Sequence, residues 1–216
     1  VALILHNFFR SSTSVRVRAA LNLKGLSYDY VPYSLRDGDT RAPDYLARNP
    51  AGLVPTLERD DGVQMTQSLA IIEWLDETHP TPALLPSDPD GRARVRALCY
   101  MIACEVHPLN NLRVLGYLGE TFGADDAAQK AWFTHWVQTT FAALETTLAT
   151  SPDTGRFCHG DTPSMADICL FAQMWNNKRF NVDASPYPTI SGIFDALSSI
   201  PAFDQAAPPN QPDAVT

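Results

Sequence analysis

Val54-Pro55-Thr56-Leu57-Glu58-Arg59-Asp60-Asp61-Gly62-Val63-Gln64-Met65-Thr66-Gln67-Ser68-Leu69 reads as two short strands and the opening of a helix. Val54 to Glu58 is a strand, Asp60-Asp61-Gly62 a turn signal, and Val63 to Thr66 a second strand, so the two make a hairpin. Ser68 stands where an N-cap is expected, ahead of a helix from Leu69 to about Thr78. Upstream, residues 40–48 read as a short helix and residues 27–33, Ser-Tyr-Asp-Tyr-Val-Pro-Tyr, alternate as a strand. Residues 14–25 read as a helix that stops at Gly25, a natural residue just past a helix end. Residues 2–8 read as a short buried strand. The order is β-α-β-α-β-β-α.

Downstream, Pro80-Thr81-Pro82-Ala83-Leu84-Leu85-Pro86-Ser87-Asp88-Pro89 cannot continue a helix, because proline lacks the N–H and clashes with the preceding turn. Beyond it the strand signals largely vanish. Helix-period stretches cover about 90–121, 125–150, 164–179 and 188–199, and the tail from Pro201 reads as coil. The expected division is an α/β domain over 1–81, a linker over 82–89 and an all-helical domain over 90–216.

Composition narrows the function classes. A formal charge of -8 argues against nucleic acid, which needs clustered basic residues on one face. Small anions remain open, since they need only a local group of arginines. No apolar run approaches the ~18 residues of a membrane span, and Val1 to Leu5 is too short for a signal segment. The expectation is a cytoplasmic protein without membrane contact. Cys99, Cys104, Cys158 and Cys169 lack dithiol or metal spacing, so they read as small buried apolar residues and no metal is expected.

The chemistry starts at Phe9-Arg10-Ser11-Ser12-Thr13-Ser14-Val15-Arg16-Val17-Arg18, a strand-to-helix junction. Hydroxyls and free N–H groups at a helix start favour an anion, and a thiol bound there is held more readily as thiolate. As a purely local reading, Ser11 or Ser12 is an N-cap. The string resembles the zeta-class glutathione transferase signature Ser-Ser-Cys-x-Trp-Arg-Val-Arg. Ser11, Ser12, Arg16, Val17 and Arg18 match; Thr13 stands at the cysteine and Val15 at the tryptophan. The β-α-β-α-β-β-α unit followed by helices is likewise the arrangement of the cytosolic glutathione transferases. That resemblance implies an α/β thioredoxin-like, glutathione-binding N-terminal domain with an all-α, substrate-binding C-terminal domain. It extends from the first strand to Gln211-Pro212-Asp213.

It also implies roles for the remaining motifs. In Asn49-Pro50-Ala51-Gly52-Leu53-Val54-Pro55-Thr56-Leu57, Pro55 is expected to follow a cis bond. Leu53, Val54 and Pro55 would then meet glutathione, with the Val54 backbone pairing to its cysteinyl residue like an added strand. Gln67 and Ser68 would take the γ-glutamyl carboxylate at a helix start. Glu105-Val106-His107-Pro108-Leu109-Asn110-Asn111-Leu112-Arg113 suggests a pocket wall. His107 and Asn111, at i and i+4 of one helix, would approach glutathione, and Arg113 the substrate. Arg179, in Lys178-Arg179-Phe180-Asn181-Val182-Asp183, would bind a substrate carboxylate; its place at a helix end also explains it structurally. Gly160-Asp161-Thr162-Pro163-Ser164-Met165-Ala166-Asp167 reads as a structural capping box, and Arg16 and Arg18 as structural ion-pair residues.

The implied activity is glutathione-dependent cis–trans isomerisation of a maleyl keto acid, maleylpyruvate or maleylacetoacetate, in aromatic catabolism. Thiolate addition to the conjugated double bond, rotation and expulsion leave the fumaryl product and regenerate glutathione, the cofactor. Ser11, Ser12, Thr13 and Arg10 are the expected catalytic residues, and Arg10 also binds a carboxylate. A homodimer is the family expectation. The alternatives are a general transferase conjugating or dehalogenating small electrophiles, a disulfide oxidoreductase, disfavoured by the lack of cysteine at 11–14, and a non-enzymatic binding module.

Overall fold

The computed structural model describes residues 2–214 and divides into two units, one taking in the chain up to Leu84 and again from Ser199, the other Leu85–Ser198. Val1, Val215 and Thr216, the ends of the expected divisions, lie outside the described residues.

In the first unit β1 (Leu3–Asn7), β2 (Asp29–Pro32), β3 (Thr56–Arg59) and β4 (Gln64–Thr66) form one sheet in the order β2-β1-β3-β4. β1 runs parallel to β2, with Leu5 opposite Tyr30, and antiparallel to β3, with Leu5 opposite Leu57. Parallel neighbours need a crossover, and α1 (Ser12–Leu23) supplies it. α1 ends where the sequence places its stop: Gly25 has φ 65°, and its N–H returns to the Asn22 carbonyl. α2 (Pro43–Arg48) precedes β3, and α3 (Ser68–Thr78) follows β4. α9 (Pro201–Ala206) and α3 both pack on α1, so every residue from Val15 to Leu21 is buried, two arginines included.

The second unit holds α4 (Pro89–Glu105), α5 (Leu112–Phe122), α6 (Asp126–Thr150), α7 (Met165–Arg179) and α8 (Pro188–Ser198). α7 is its axis, packed on α4 and α8, with every residue from Met165 to Met174 buried. The buried Asp167 carboxylate accepts from the Ser164 N–H and O–H and the Cys158 N–H, at 2.7 to 2.8 Å. Burial raises its pKa, and those hydrogen bonds oppose the rise.

Several expectations need correction. The helix expected over 90–121 is two helices, α4 and α5, because Pro108 has no N–H to continue the ladder and Asn111 caps a new start. The Asn111 side-chain oxygen accepts the Arg113 N–H at 3.1 Å. The tail from Pro201 is not coil: proline is tolerated at a first helical position, and α9 buries Phe203 and Ala206. By its contacts that segment groups with the α/β unit. Ser68 is the first helical residue rather than the cap; the cap is Gln67, at φ 68°. Arg16 and Arg18 form no ion pair among the described residues, and Cys104 is exposed while the other three cysteines are buried.

Candidate active site

β1 delivers the chain to Phe8-Phe9-Arg10, and Ser11 caps α1 by accepting the Ser14 N–H at 3.3 Å. Its hydroxyl oxygen lies 2.8 Å from Thr13 Oγ1, and the Thr13 hydroxyl donates to the Val54 carbonyl at 2.9 Å. A carbonyl can only accept, so the Thr13 proton is fixed on Val54 and the Ser11 proton points to Thr13. Ser11 and Thr13 are half-buried, whereas Ser12 is 4% exposed. Sequence reading treats the three hydroxyls alike; the structure separates them.

The Val54 loop is held from beneath. Tyr45 Oη and Asn49 Nδ2 both donate to the Leu53 carbonyl, at 2.6 and 2.7 Å. Gly52 has φ 63°, and a Cβ there would come within 3.0 Å of the Thr40 carbonyl, so both backbone and space require glycine. The Val54–Pro55 bond is cis. Among the described residues the Val54 N–H has no partner, which leaves it for an extended peptide ligand.

Arg18 anchors the other side of the junction. It is fully buried and donates to the Asn7 side chain and the Phe9 carbonyl at 2.8 Å, and to the Ala206 carbonyl of α9 at 3.0 Å. Burial lowers its pKa to about 10, against the opposing pull of Tyr30, Tyr28 and Asp213. Asp213 in turn accepts the Phe9 N–H at 3.1 Å and the Tyr30 hydroxyl. Buried first, then hydrogen-bonded to Asp213, the Tyr30 phenol is raised above its ordinary range.

Arg10 lies over the Phe9 ring at 4.8 Å and lines a cavity of about 440 Å³ with Tyr33, Ser34 and Arg36. Its Nε is buried without a hydrogen-bond partner among the described residues. Burial first, and Arg36 second, lower its pKa. It stays charged at neutral pH, and both causes favour the arrival of an anion. Three carboxylates, Asp37, Asp39 and Asp213, also line the cavity; two of them are engaged elsewhere, Asp39 accepting the Ser34 N–H at 2.7 Å and Asp213 holding Phe9 and Tyr30. Arg36 had no motif to mark it, and Asp213 entered only as the end of the resemblance, without a role.

Gln67 and Ser68 sit together at the start of α3, in the same unit as Arg10, Ser11, Ser12, Thr13, Leu53, Val54 and Pro55. The remaining expected residues belong to the other unit. His107 is half-buried in the turn after α4, Asn111 caps α5, and Arg113 is exposed in its first turn. With the helix broken at 106–111, the shared i, i+4 face of His107 and Asn111 no longer holds. Arg179 closes α7, over the Phe180 ring at 5.1 Å, and lines a cavity of about 240 Å³ with Gln129 and Lys130.

Family models cover most of the chain. The glutathione S-transferase N-terminal domain matches residues 10–78 and the C-terminal domain residues 114–205. A maleylpyruvate isomerase from Ralstonia sp is 50% identical over 97% of this chain and 99% of its own. The chain belongs to the zeta class of the glutathione transferases. The holo structure of a maleylpyruvate isomerase, a bacterial zeta-class transferase, superposes at TM-score 0.96 with 48% identity, covering 98% of this chain and all of that one. A maleylacetoacetate isomerase from Methylobacterium extorquens AM1, with malonate and glutathione bound, also superposes at 0.96, with 40% identity over 99% of this chain and 100% of its own. The zeta-class pattern thus survives the loss of both the cysteine at Thr13 and the tryptophan at Val15.

Proposed function

We propose that the chain isomerises a maleyl keto acid, maleylpyruvate or maleylacetoacetate, to its fumaryl product, with glutathione as cofactor, in aromatic-compound catabolism. The observation that carries this reading is Arg10. It lines a cavity three residues from the Thr13–Val54 contact, and its buried Nε has no hydrogen-bond partner among the described residues. The relative from Methylobacterium extorquens holds a dicarboxylate together with glutathione.

The residues present fit glutathione. The unpartnered Val54 N–H suits its cysteinyl backbone, and the α3 start at Gln67 and Ser68 suits its γ-glutamyl carboxylate. His107 and Asn111 are retained as further contacts. When bound, glutathione supplies a thiolate nucleophile that adds reversibly to the conjugated double bond.

The chain's own groups do the rest. Ser11 is the hydroxyl that turns to the sulfur: it exchanges a neutral bond to Thr13 for a stronger charge-assisted one. Thr13 keeps its proton on Val54 and positions the loop. Ser12, buried at the first residue of α1, supports the helix end whose dipole favours the negative sulfur. Arg10 and Arg179 hold the two carboxylates of the substrate, with Arg113 in support, and offset the charge that grows on its keto oxygen.

A homodimer belongs to the same proposal: exposed Val63, just before β4, and Tyr100 on α4, each 46% exposed, are apolar surface suited to a second copy. Sedimentation should give about twice 23.7 kDa. Placement in the cytoplasm follows the same reading; no helix among the described residues is long and apolar enough to cross a membrane.

The test follows maleylpyruvate and maleylacetoacetate by ultraviolet absorbance in wild type, Arg10→Ala and Arg179→Ala. Each variant should fold, by circular dichroism, and lose about 10²-fold in kcat/KM. Near-normal rates in both folded variants would reject the carboxylate assignment.

A further inference from the structure

Arg16 is the least explained charge in the molecule. It is 2% exposed in the middle of the buried face of α1, and its Nη1 reaches only Ser68 Oγ, at 3.4 Å. Nε and Nη2 are buried and have no hydrogen-bond partner among the described residues. No carboxylate among the described residues pairs with it. Arg18, on the opposite side of the same helix, is buried just as deeply, yet carbonyl and amide oxygens surround it. A guanidinium removed from water without compensating acceptors is strongly unfavourable, so an anion nearby is the natural complement.

The hydroxyl that accepts from Arg16 opens α3. Ser68 is 5% exposed and heads a helix of 11 residues, whose first N–H groups and dipole attract negative charge. Gln67, just before it, holds φ 68°, a left-handed conformation uncommon for a residue with a Cβ. We propose that Arg16 is the positioning charge of a carboxylate subsite at the α3 N-terminus, acting through Ser68 on an α-amino-acid carboxylate. This rests on the glutathione reading, in which that carboxylate belongs to the γ-glutamyl residue.

The direction of the hydrogen bonds carries the argument. Arginine has donors only, so Ser68 Oγ accepts from Arg16. The Ser68 O–H is then left to donate outward. At 3.4 Å the bond is long, so the guanidinium contributes mainly by its field, unscreened because the site is buried. Arg16 itself touches no ligand; Ser68 and the α3 N–H groups do.

Titration calorimetry tests this without turnover. Wild type, Arg16→Gln and Arg16→Lys are each titrated with glutathione and with 4-aminobutyryl-cysteinyl-glycine, which lacks only the γ-glutamyl carboxylate. Wild type should prefer glutathione by about tenfold to a hundredfold. Arg16→Gln should weaken glutathione and leave the decarboxylated peptide little changed, so that the preference collapses; Arg16→Lys should retain part of it. An undiminished preference in folded Arg16→Gln, or an equal loss for both peptides, would overturn the role given to Arg16. If Arg16→Gln does not fold, Arg16→Met, neutral and similar in length, replaces it: equal binding of both peptides by wild type removes the subsite, and a clear preference that folded Arg16→Met leaves untouched removes Arg16 from it. Failure of wild type to bind glutathione at all is a different result, which removes the glutathione reading itself.

Discussion

At the scale of single residues, Thr13 sets how the site is built. Its hydroxyl joins the α1 start to the Val54 carbonyl at 2.9 Å. Thr13→Val keeps the shape and removes that bond, worth about 1 kcal/mol. The expected outcome is a glutathione Kd weakened about fivefold, with Thr13→Ser close to wild type; equal binding by the valine variant would contradict the positioning role. His6 offers a pH readout. It is 4% exposed, with Nε2 3.0 Å from Glu58 and Nδ1 3.1 Å from the Tyr33 hydroxyl. Burial lowers its pKa below 6.5, with Arg48 adding to that and Glu58 opposing it. A lowered native pKa means that its contribution is complete above the ordinary value and is lost as pH falls through the native one. Urea midpoints should therefore drop between pH 7.5 and 5.5 in wild type and drop less in His6→Gln. An identical slope in both would assign the effect to other groups.

At the scale of elements, the strongest organiser is one the sequence conceals. α9 starts in a proline-rich tail, yet it packs on α1 and receives hydrogen bonds from Arg18 and Asn22. Beyond it, Asp213 grips the Phe9 N–H, next to Arg10. Asp213→Ala should lower stability by about 1–3 kcal/mol and raise the KM for the maleyl substrate. Asp213→Asn, which can still accept the Phe9 N–H, should recover most of the KM. A variant destabilised with an unchanged KM would reduce Asp213 to a structural tie. Such long-range hydrogen bonding leaves no periodic trace, which is why 201–216 reads as coil. The β3–β4 hairpin, the Gly25 stop and the helices α6 to α8 are legible, because turn chemistry and apolar spacing are local properties. The α4–α5 break is half legible: Pro108 announces it, but a continuous helical period on both sides masks it.

At the scale of the whole molecule, a chain of net charge -8 is read as binding a dianionic substrate. The mean field opposes that substrate, so attraction has to be local, as Arg10 and Arg36 on one cavity wall could supply. The family and the Ser11–Thr13 corner are legible from a ten-residue string. The distinct hydroxyl roles, Arg16 beneath Ser68 and Asp213 behind Phe9 depend on contacts across 41, 52 and 204 positions, which no motif encodes. The account as a whole depends on a free thiol supplied by glutathione. Its most direct measurement compares maleylpyruvate isomerisation with glutathione, with S-methylglutathione, and with neither. The predicted result is turnover with glutathione alone, inhibited competitively by the methylated peptide. Equal turnover with the methylated peptide, or with no peptide at all, would contradict it.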